Sequence, residues 1–281
     1  MDTLEKKRLF VLLGSPRSGA SVFMRSLESL GIGRRTSLHP GPPRVGAFWG
    51  NRDCADINQE LLAQIGVHHP LDLAWEALPE SLTVNELRRE AAKLVAGKLS
   101  EHGGVWGTAD AATCRLLDFW ISVFAEVGAE VNFVIAVRNP ASIAKSLAAR
   151  YGLAVEKAYF LWLQHVLPTI THTHAARRIV MDYDELLTNP QPQLARLASF
   201  VGRVSAEGGF KTDFLEPGRR HALSTVAEAA DDPRAPILVG RSYEWLRLLA
   251  SDAPYDHAAL LGDLQDLNQN CLLYTSPSPR D

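Results

Sequence analysis

An arginine lies inside a loop pattern that is typical of phosphate binding. Residues 14–21 read Gly-Ser-Pro-Arg-Ser-Gly-Ala-Ser, and they stand between an apolar run at residues 9–13 and a helical pattern that ends at Gly31. At such a junction, the backbone N–H groups of the loop and of the helix start can converge on a phosphate. Taken alone, the segment is about equally consistent with an ordinary turn.

The cation of this loop does not stand where a nucleoside-triphosphate loop would have it. That loop reads G-x-x-x-x-G-K-[ST], whereas this chain has Ala20 at the lysine position and Arg17 within the loop. A fixed guanidinium at this place can hold oxygens and can stabilise negative charge on a leaving group. Arg17 is therefore the first candidate for a catalytic residue.

A second junction of the same kind follows the apolar run at residues 131–137. Arg138 ends this run, and Asn139 and Pro140 suit the N-cap and the first position of a helix. Ser146 comes two helical turns later, so arginine and serine could contact one anion from two sides. For either residue alone, a surface ion pair or a solvent-facing serine is the simpler interpretation.

The elements that would position these residues alternate between strands and helices, which predicts a parallel α/β fold. The run at residues 9–13 is apolar at every position, as in a central strand that is covered on both faces. A Gly- and Pro-rich loop facing the active site is predicted at residues 34–50. No linker divides the chain, so we expect one domain over residues 5–265. Strands are predicted at 9–13, 105–107, 131–137 and 178–181, and helices at 56–62, 84–99, 115–126, 141–150 and 156–170.

Composition excludes several classes of function. The formal net charge of the 281-residue chain is -3, which offers no broad attraction to nucleic acid. The first apolar run stops at Gly14, too short for a signal peptide or a membrane span, so a cytoplasmic protein without a membrane partner is predicted. Three cysteines without paired spacing predict neither disulfides nor a zinc site, and the histidines at 68, 69, 172 and 174 lack the ligand count of a metal site.

The last eleven residues, 271–281, read Cys-Leu-Leu-Tyr-Thr-Ser-Pro-Ser-Pro-Arg-Asp and carry no pattern of their own. This string resembles the translation of a common sequencing-library adapter. We therefore expect it to be an assembly artefact, and it takes no part in the prediction of the fold.

The two junctions together resemble those of the sulfotransferase superfamily. Residues 16–21, Pro-Arg-Ser-Gly-Ala-Ser, are similar to its 5'-phosphosulfate loop P-[KR]-S-G-[TS]-[TS], and Arg138 and Ser146 have the spacing of its 3'-phosphate site. The resemblance covers most of residues 9–221. It implies a three-layer α/β fold like that of the P-loop-containing nucleoside triphosphate hydrolases, and 3'-phosphoadenosine 5'-phosphosulfate (PAPS) as the cofactor. The cofactor-binding residues that it implies are Pro16, Arg17, Ser18, Gly19, Ala20, Ser21, Arg138, Ser146, Arg219 and Arg220.

The chain departs from this resemblance near the expected acceptor site. Bacterial relatives carry Trp-Gly-x-Lys-Asp-Pro-Arg, whereas residues 106–112 read Trp-Gly-Thr-Ala-Asp-Ala-Ala. Ala109 and Ala112 thus replace two basic residues, and Asp110 remains. Asp110 is our first candidate for the catalytic base, with His39 and His165 as secondary ones. A role for Asp110 as the cap of the next helix is equally open.

The function predicted from these residues is transfer of a sulfuryl group from PAPS to a hydroxyl or amine of a small-molecule or glycan acceptor. Two alternatives stay open. A non-catalytic or attenuated protein that binds adenosine 3',5'-bisphosphate is favoured by Ala109 and Ala112. A P-loop small-molecule kinase is disfavoured because Ala20 stands in place of the lysine.

Overall fold

Four parallel strands form the centre of the computed structural model, which describes residues 7–32, 52–73, 76–203 and 232–275, together with residues 212 and 215. They lie in the order β2-β1-β3-β4. At residue 52 and at residues 268–275 only the backbone is described. The strands span Arg8–Leu13 (β1), Val105–Ala109 (β2), Glu130–Val137 (β3) and Arg178–Asp182 (β4).

The central strand β1 is buried on both faces because its apolar side chains alternate between two clusters. Leu9, Val11 and Leu13 belong to the larger cluster, and Phe10 and Leu12 belong to the smaller one. β1 pairs with β2 on one side and with β3 on the other, both in parallel. The prediction of a covered central strand is confirmed, and its cause is the continuous apolar run.

Helices cover both faces of the sheet and complete three layers. The helix α1 (Ala20–Ser29) packs in the smaller cluster, together with α7 (Tyr183–Thr188) and α8 (Pro190–Val201). The remaining helices contribute to the larger cluster. They are α2 (Arg52–Ala63), α3 (Leu82–Glu101), a 3-10 helix (Ala111–Leu116), α4 (Leu117–Val127), α5 (Pro140–Tyr151), α6 (Val155–Thr173), α9 (Ile237–Ala250) and α10 (His257–Thr275).

The predicted fold class, α/β with a parallel sheet in three layers, is confirmed by this topology. All four predicted strands exist, and the one predicted at residues 105–107 extends to Ala109. The five predicted helices correspond to α2–α6. The loop predicted at residues 34–50 lies outside the described residues. The helix α10 runs on to Thr275 and so crosses the start of the predicted adapter-derived tail, and residues 276–281 are not described.

The order of the strands places one crevice at the centre of the sheet. From β1 the chain goes to β2 on one side, and from β3 it goes to β4 on the other side. In open α/β sheets, ligands bind beyond the carboxyl ends of two neighbouring strands whose connections diverge in this way. That position lies between the loop after β1 and Arg138 after β3.

Among the helices that the structure describes, none is long and apolar enough to cross a membrane.

Candidate functional site

The loop after β1 holds two residues in the left-handed region of backbone conformation. Arg17 has φ 71° and Gly19 has φ 90°, and the N–H of Ser18 donates to the carbonyl of Ser15 at 3.1 Å. Left-handed residues within a turn let successive N–H groups point to one side, where they form an anion-binding concavity. Left-handed backbone costs a non-glycine residue such as Arg17 on the order of 1–3 kcal/mol, and such strain clusters at binding sites.

The helix α1 presents an uncapped N-terminus to this loop. Gly19 is its N-cap, no side chain among the described residues caps its first turn, and no acidic residue lies in that turn. Its first N–H groups and the positive end of its dipole are therefore left for an external acceptor. In the described part of the chain, the buried hydroxyls of Ser15 and Ser18 also have no hydrogen-bond partner. The loop thus contains more donors than it uses internally.

Two side chains from distant parts of the chain pack against the glycines of the loop. A Cβ atom at Gly19 would lie 2.1 Å from Cδ2 of Tyr183, the first residue of α7. The N–H of Gly14 donates to Sγ of Cys114 at 3.2 Å. The sequence did not indicate either contact, although Tyr183 follows β4 directly, at the same edge of the sheet as the loop. Gly19 is required here because the tyrosine ring occupies the space of a side chain.

Arg138 connects the second junction to the first. Its Nη1 donates to the carbonyl of Arg17 at 3.1 Å, and its guanidinium carbon lies 5.0 Å from the ring centroid of Tyr183. The residue is only 6 % exposed, and burial lowers the pKa of its guanidinium while the nearby Asp184 opposes that shift. Arginine stays charged nonetheless. Arg138 therefore places a buried positive charge beneath the loop and holds the loop backbone.

Ser146 and Arg17 are also in contact, and the sequence did not indicate this pair. Nε of Arg17 donates to Oγ of Ser146 at 3.0 Å, and this pair is exposed. The predicted N-cap Asn139 is confirmed, because its side chain accepts from the N–H groups of Ala141 and Ser142. The structure thus brings Arg17, Arg138 and Ser146 together at one crevice.

Asp110 lies at the carboxyl end of β2 and caps the 3-10 helix. Its Oδ1 accepts from the N–H of Ala112 at 2.8 Å. Burial raises the pKa of this carboxyl, while the hydrogen bonds from Ala112 and from the Asn58 side chain oppose the shift. The capping role is therefore shown, and the role as a base stays a prediction. Ala109, one of the two positions at which the sequence resemblance implies a basic residue, is buried in the smaller apolar cluster.

His165 lies in the core of the fold. It is buried on α6, with its Nδ1 2.7 Å from the carbonyl of Leu161. Burial, and then the charge of Arg115, lower its pKa to about 3, so the ring is neutral at pH 7. His165 is therefore a neutral core residue that is already hydrogen-bonded to a helix carbonyl, which favours a structural role over that of a catalytic base. His39, the other secondary candidate, lies outside the described residues.

We expect the burial of His165 to make stability depend on pH. The folded state keeps the ring neutral down to a pKa of about 3, whereas the unfolded chain takes up a proton near 6.5. The free energy of unfolding should therefore fall as the pH drops below about 6.5, with a slope that approaches 1.4 kcal/mol per pH unit. Urea denaturation of wild type and His165→Gln from pH 7.5 to 4.5 measures the difference. Identical slopes would contradict the assignment.

Arg219 and Arg220, which the sequence resemblance predicted to bind the cofactor, lie outside the described residues.

A cleft of about 360 Å³ lies beside the first residue of β4, Arg178, and is lined also by His174 and Tyr255. It is at the amino end of β4, so it does not belong to the site at the carboxyl ends. Within the described ranges, no group of three or more His, Cys, Asp or Glu side chains could hold a metal ion.

Comparison with known proteins gives matches in structure alone. No protein-family model matches the sequence, and no curated protein matches it. The sulfotransferase domain of the Synechococcus PCC 7002 olefin synthase is 14 % identical, with 99 % of both chains covered and a TM-score of 0.46. The sulfotransferase domain from the curacin biosynthetic pathway is 15 % identical, covering 94 % of this chain and 97 % of that one, with a TM-score of 0.42. The sulfotransferase STF9 from Mycobacterium avium is 13 % identical, covering 97 % of this chain and 78 % of that one, with a TM-score of 0.40.

Proposed function

We propose that this chain binds PAPS at the crevice between β1 and β3 and transfers its sulfuryl group to a hydroxyl or amine acceptor. The observation that carries the proposal is the meeting of two arginine-bearing strand-to-helix junctions. Arg138 donates to the carbonyl of Arg17, and Arg17 donates to Ser146. A mononucleotide needs one such anion site, whereas an adenosine with phosphates at both 3' and 5' positions needs two. The motif resemblance at residues 16–21 supports the same donor.

The residues present fit a doubly phosphorylated nucleotide. The uncapped start of α1 and the buried hydroxyls of Ser15 and Ser18 supply donors for a 5'-phosphate. Arg138 and Ser146 would hold the 3'-phosphate, and the resemblance adds Arg219 or Arg220 as a further contact. Arg17 uses Nε on Ser146, which leaves its other N–H groups for the 5' side. The protein contribution is thus position and positive charge.

In the proposed reaction, PAPS supplies an activated sulfuryl group. Arg17 stabilises the negative charge that develops on the departing 5'-phosphate oxygen. Asp110, at the neighbouring strand end, acts as a carboxylate and takes the proton of the acceptor. Burial raises the pKa of this carboxyl toward neutral pH, and a base is most effective when its pKa is near the working pH.

A second candidate function is that of a non-catalytic protein that binds adenosine 3',5'-bisphosphate. Ala109 is buried among apolar side chains, and Asp110 is already used as a cap. The neighbouring cation that would assist transfer is therefore not supplied from position 109 or 112. Both candidates share the nucleotide site, so binding tests the site and turnover separates the two functions. The kinase alternative is disfavoured because Ala20 opens α1 where a P-loop has lysine.

Calorimetric titration of the whole chain with adenosine 3',5'-bisphosphate, adenosine 5'-monophosphate and ATP tests the site. We expect the bisphosphate to bind at least about 10-fold more tightly than the monophosphate, since a charge-assisted hydrogen bond is worth about 1.5–3 kcal/mol. ATP should bind more weakly than the bisphosphate. Arg138→Ala and Ser146→Ala should reduce the preference for the bisphosphate, the first more strongly.

The matched control for this titration is Arg150→Ala, because Arg150 lies on the same helix as Ser146 and contacts the neighbouring Tyr151. It should leave all three affinities unchanged. Thermal unfolding of each variant shows whether the fold persists, which matters for Arg138 because it is buried. Tighter binding of ATP than of the bisphosphate would instead support a kinase.

A further inference from the structure

The 3-10 helix after β2 carries an arginine on its less buried side. The helix starts at the carboxyl end of β2, and the Sγ of its Cys114 accepts the N–H of Gly14, so the helix also lies over the end of β1. Cys114 is buried, whereas Ala112 and Arg115 are only partly buried. Side chains three residues apart are eclipsed in a 3-10 helix. Arg115 therefore stands one turn beyond Ala112 on the same side of the helix.

The side chain of Arg115 reaches the loop that follows α2. Its Nη1 donates to the backbone carbonyl of Asp72 at 3.1 Å. The carboxylate of Asp72 has other partners, because its Oδ1 lies 3.8 Å from Nζ of Lys157, near the start of α6, and its Oδ2 accepts the N–H of His69 at 3.1 Å. Two positive side chains, one from the 3-10 helix and one from α6, thus meet at Asp72.

The positive charge of Arg115 is not neutralised by a direct ion pair. Within the described ranges, no carboxylate forms an ion pair with its guanidinium, and its buried Nη2 has no hydrogen-bond partner. Burial lowers the pKa of the guanidinium to about 10 and Asp72 opposes this shift, so the group stays charged at pH 7. His165, which also faces the guanidinium, is neutral at that pH. A partly buried charge without a counter-ion is unfavourable, and groups of this kind are common at ligand sites.

The position of Arg115 suits a part of the acceptor that does not react. Arg115 comes five positions after Asp110, the proposed base. The rise of a 3-10 helix is about 2 Å per residue, so the two Cα atoms are separated by about 10 Å. An acceptor whose reacting hydroxyl lies at Asp110 can therefore place a distant substituent beside Arg115.

We propose that Arg115 determines the specificity for the acceptor by binding a carboxylate on it, while Lys157 adds positive charge to the same surroundings. The acceptors would then be hydroxy acids rather than neutral alcohols or phenols. This inference rests on the proposed function in one respect, namely that the acceptor hydroxyl reacts at Asp110. A purely structural arginine would fasten the loop after α2 to the 3-10 helix through the carbonyl of Asp72, and it would not distinguish charged from neutral acceptors.

The test compares two phenols of the same size, para-hydroxyphenylpropionate and its neutral amide, para-hydroxyphenylpropionamide. Calorimetric titration of the whole chain, with and without adenosine 3',5'-bisphosphate, measures the affinity for each. We expect the wild type to bind the acid at least about 10-fold more tightly than the amide, because a charge-assisted hydrogen bond is stronger than a neutral one. The ratio of the two affinities is the decisive quantity, since a general disturbance of the fold changes both affinities together.

Four variants separate the charge of Arg115 from its structural contact. Arg115→Gln should remove the preference for the acid, and Arg115→Lys should keep part of it, because lysine retains the charge but lacks the planar fork. Asp72→Asn keeps the backbone carbonyl that Arg115 contacts and removes a nearby negative charge, so it should increase the preference by about 2- to 5-fold. The matched control is Arg150→Gln, which removes the charge of an exposed arginine that contacts Tyr151, and it should leave the ratio unchanged.

Equal affinities of the wild type for the acid and the amide, or binding of neither, would overturn the proposal. The same holds for a preference that persists in Arg115→Gln. If that variant does not fold, an unchanged ratio in Asp72→Asn has the same consequence. A preference for the acid in a wild type that never transfers a sulfuryl group would keep this inference and reject the proposed function. Sulfuryl transfer to both phenols with equal kcat/KM would do the reverse.

Discussion

Gly19→Ala is expected to abolish measurable nucleotide binding and to lower the free energy of unfolding by about 2–4 kcal/mol. The new Cβ would lie 2.1 Å from Cδ2 and 2.6 Å from Cε2 of Tyr183, so the ring or the loop must move. Tyr183 is itself packed beneath Arg138. Because Gly19 is also the N-cap of α1, any shift of its backbone moves the N–H groups proposed to bind the 5'-phosphate.

The matched control for this variant is Gly31→Ala. Gly31 has φ +83°, close to the +90° of Gly19, but a Cβ added to it would meet no atom of the described residues within 4 Å. The control therefore carries the strain of an alanine at positive φ without the clash with Tyr183. Urea denaturation and calorimetry of both variants separate the two effects. Equal stability and equal nucleotide affinity in the two variants would show that the Tyr183 contact does not determine the loop.

The parts of the site that could be predicted from the sequence depend on local pattern. An apolar run, a Gly- and Ser-rich turn and a helical pattern follow one another within some twenty residues, and they fix the loop at residues 14–19. The same holds for Arg138 and its helix, including the Asn139 cap. Arginines at the ends of two neighbouring parallel strands must lie at one edge of the sheet. Their proximity therefore follows from the fold class.

Contacts between distant elements could not be predicted, because they depend on the order of the strands. Tyr183 meets Gly19 only because β4 pairs with β3 and β3 pairs with β1. In the same way, Cys114 reaches Gly14 across β1 and β2. The spacing of residues within each segment contains no information about these pairs.

The burial of charged and polar groups is the other feature that the sequence pattern does not contain. The pattern predicts that Arg138 faces an anion, and the structure shows its guanidinium also bound to the carbonyl of Arg17 and packed on Tyr183. For Asp110, two roles are consistent with its place after a strand. The hydrogen bond from the N–H of Ala112 shows that Asp110 is a cap, and its role as a base stays a prediction.

The left-handed conformation of Arg17 allows its charge and its backbone to be tested separately. Alanine at φ 71° removes the guanidinium and keeps the strain, whereas glycine removes the guanidinium and relieves the strain. If the charge acts on the departing oxygen, Arg17→Ala and Arg17→Gly should both lower turnover by about 100-fold or more. Their affinity for adenosine 3',5'-bisphosphate should change much less. Ser146→Ala, which removes the partner of Nε and keeps the charge, should retain most of the rate.

Arg17→Lys should recover part of the turnover, because lysine restores a positive charge but lacks the two-pronged geometry of arginine. The recovery should be incomplete here, since Ala109 and Ala112 supply no second cation. Single-turnover transfer to a phenol or sugar acceptor, after nucleotide binding has been measured for each variant, provides the rates. An Arg17→Gly variant as fast as an active wild type would show that the loop backbone suffices without the guanidinium. A wild type that binds the bisphosphate tightly and never transfers a sulfuryl group would identify the chain as the non-catalytic binder.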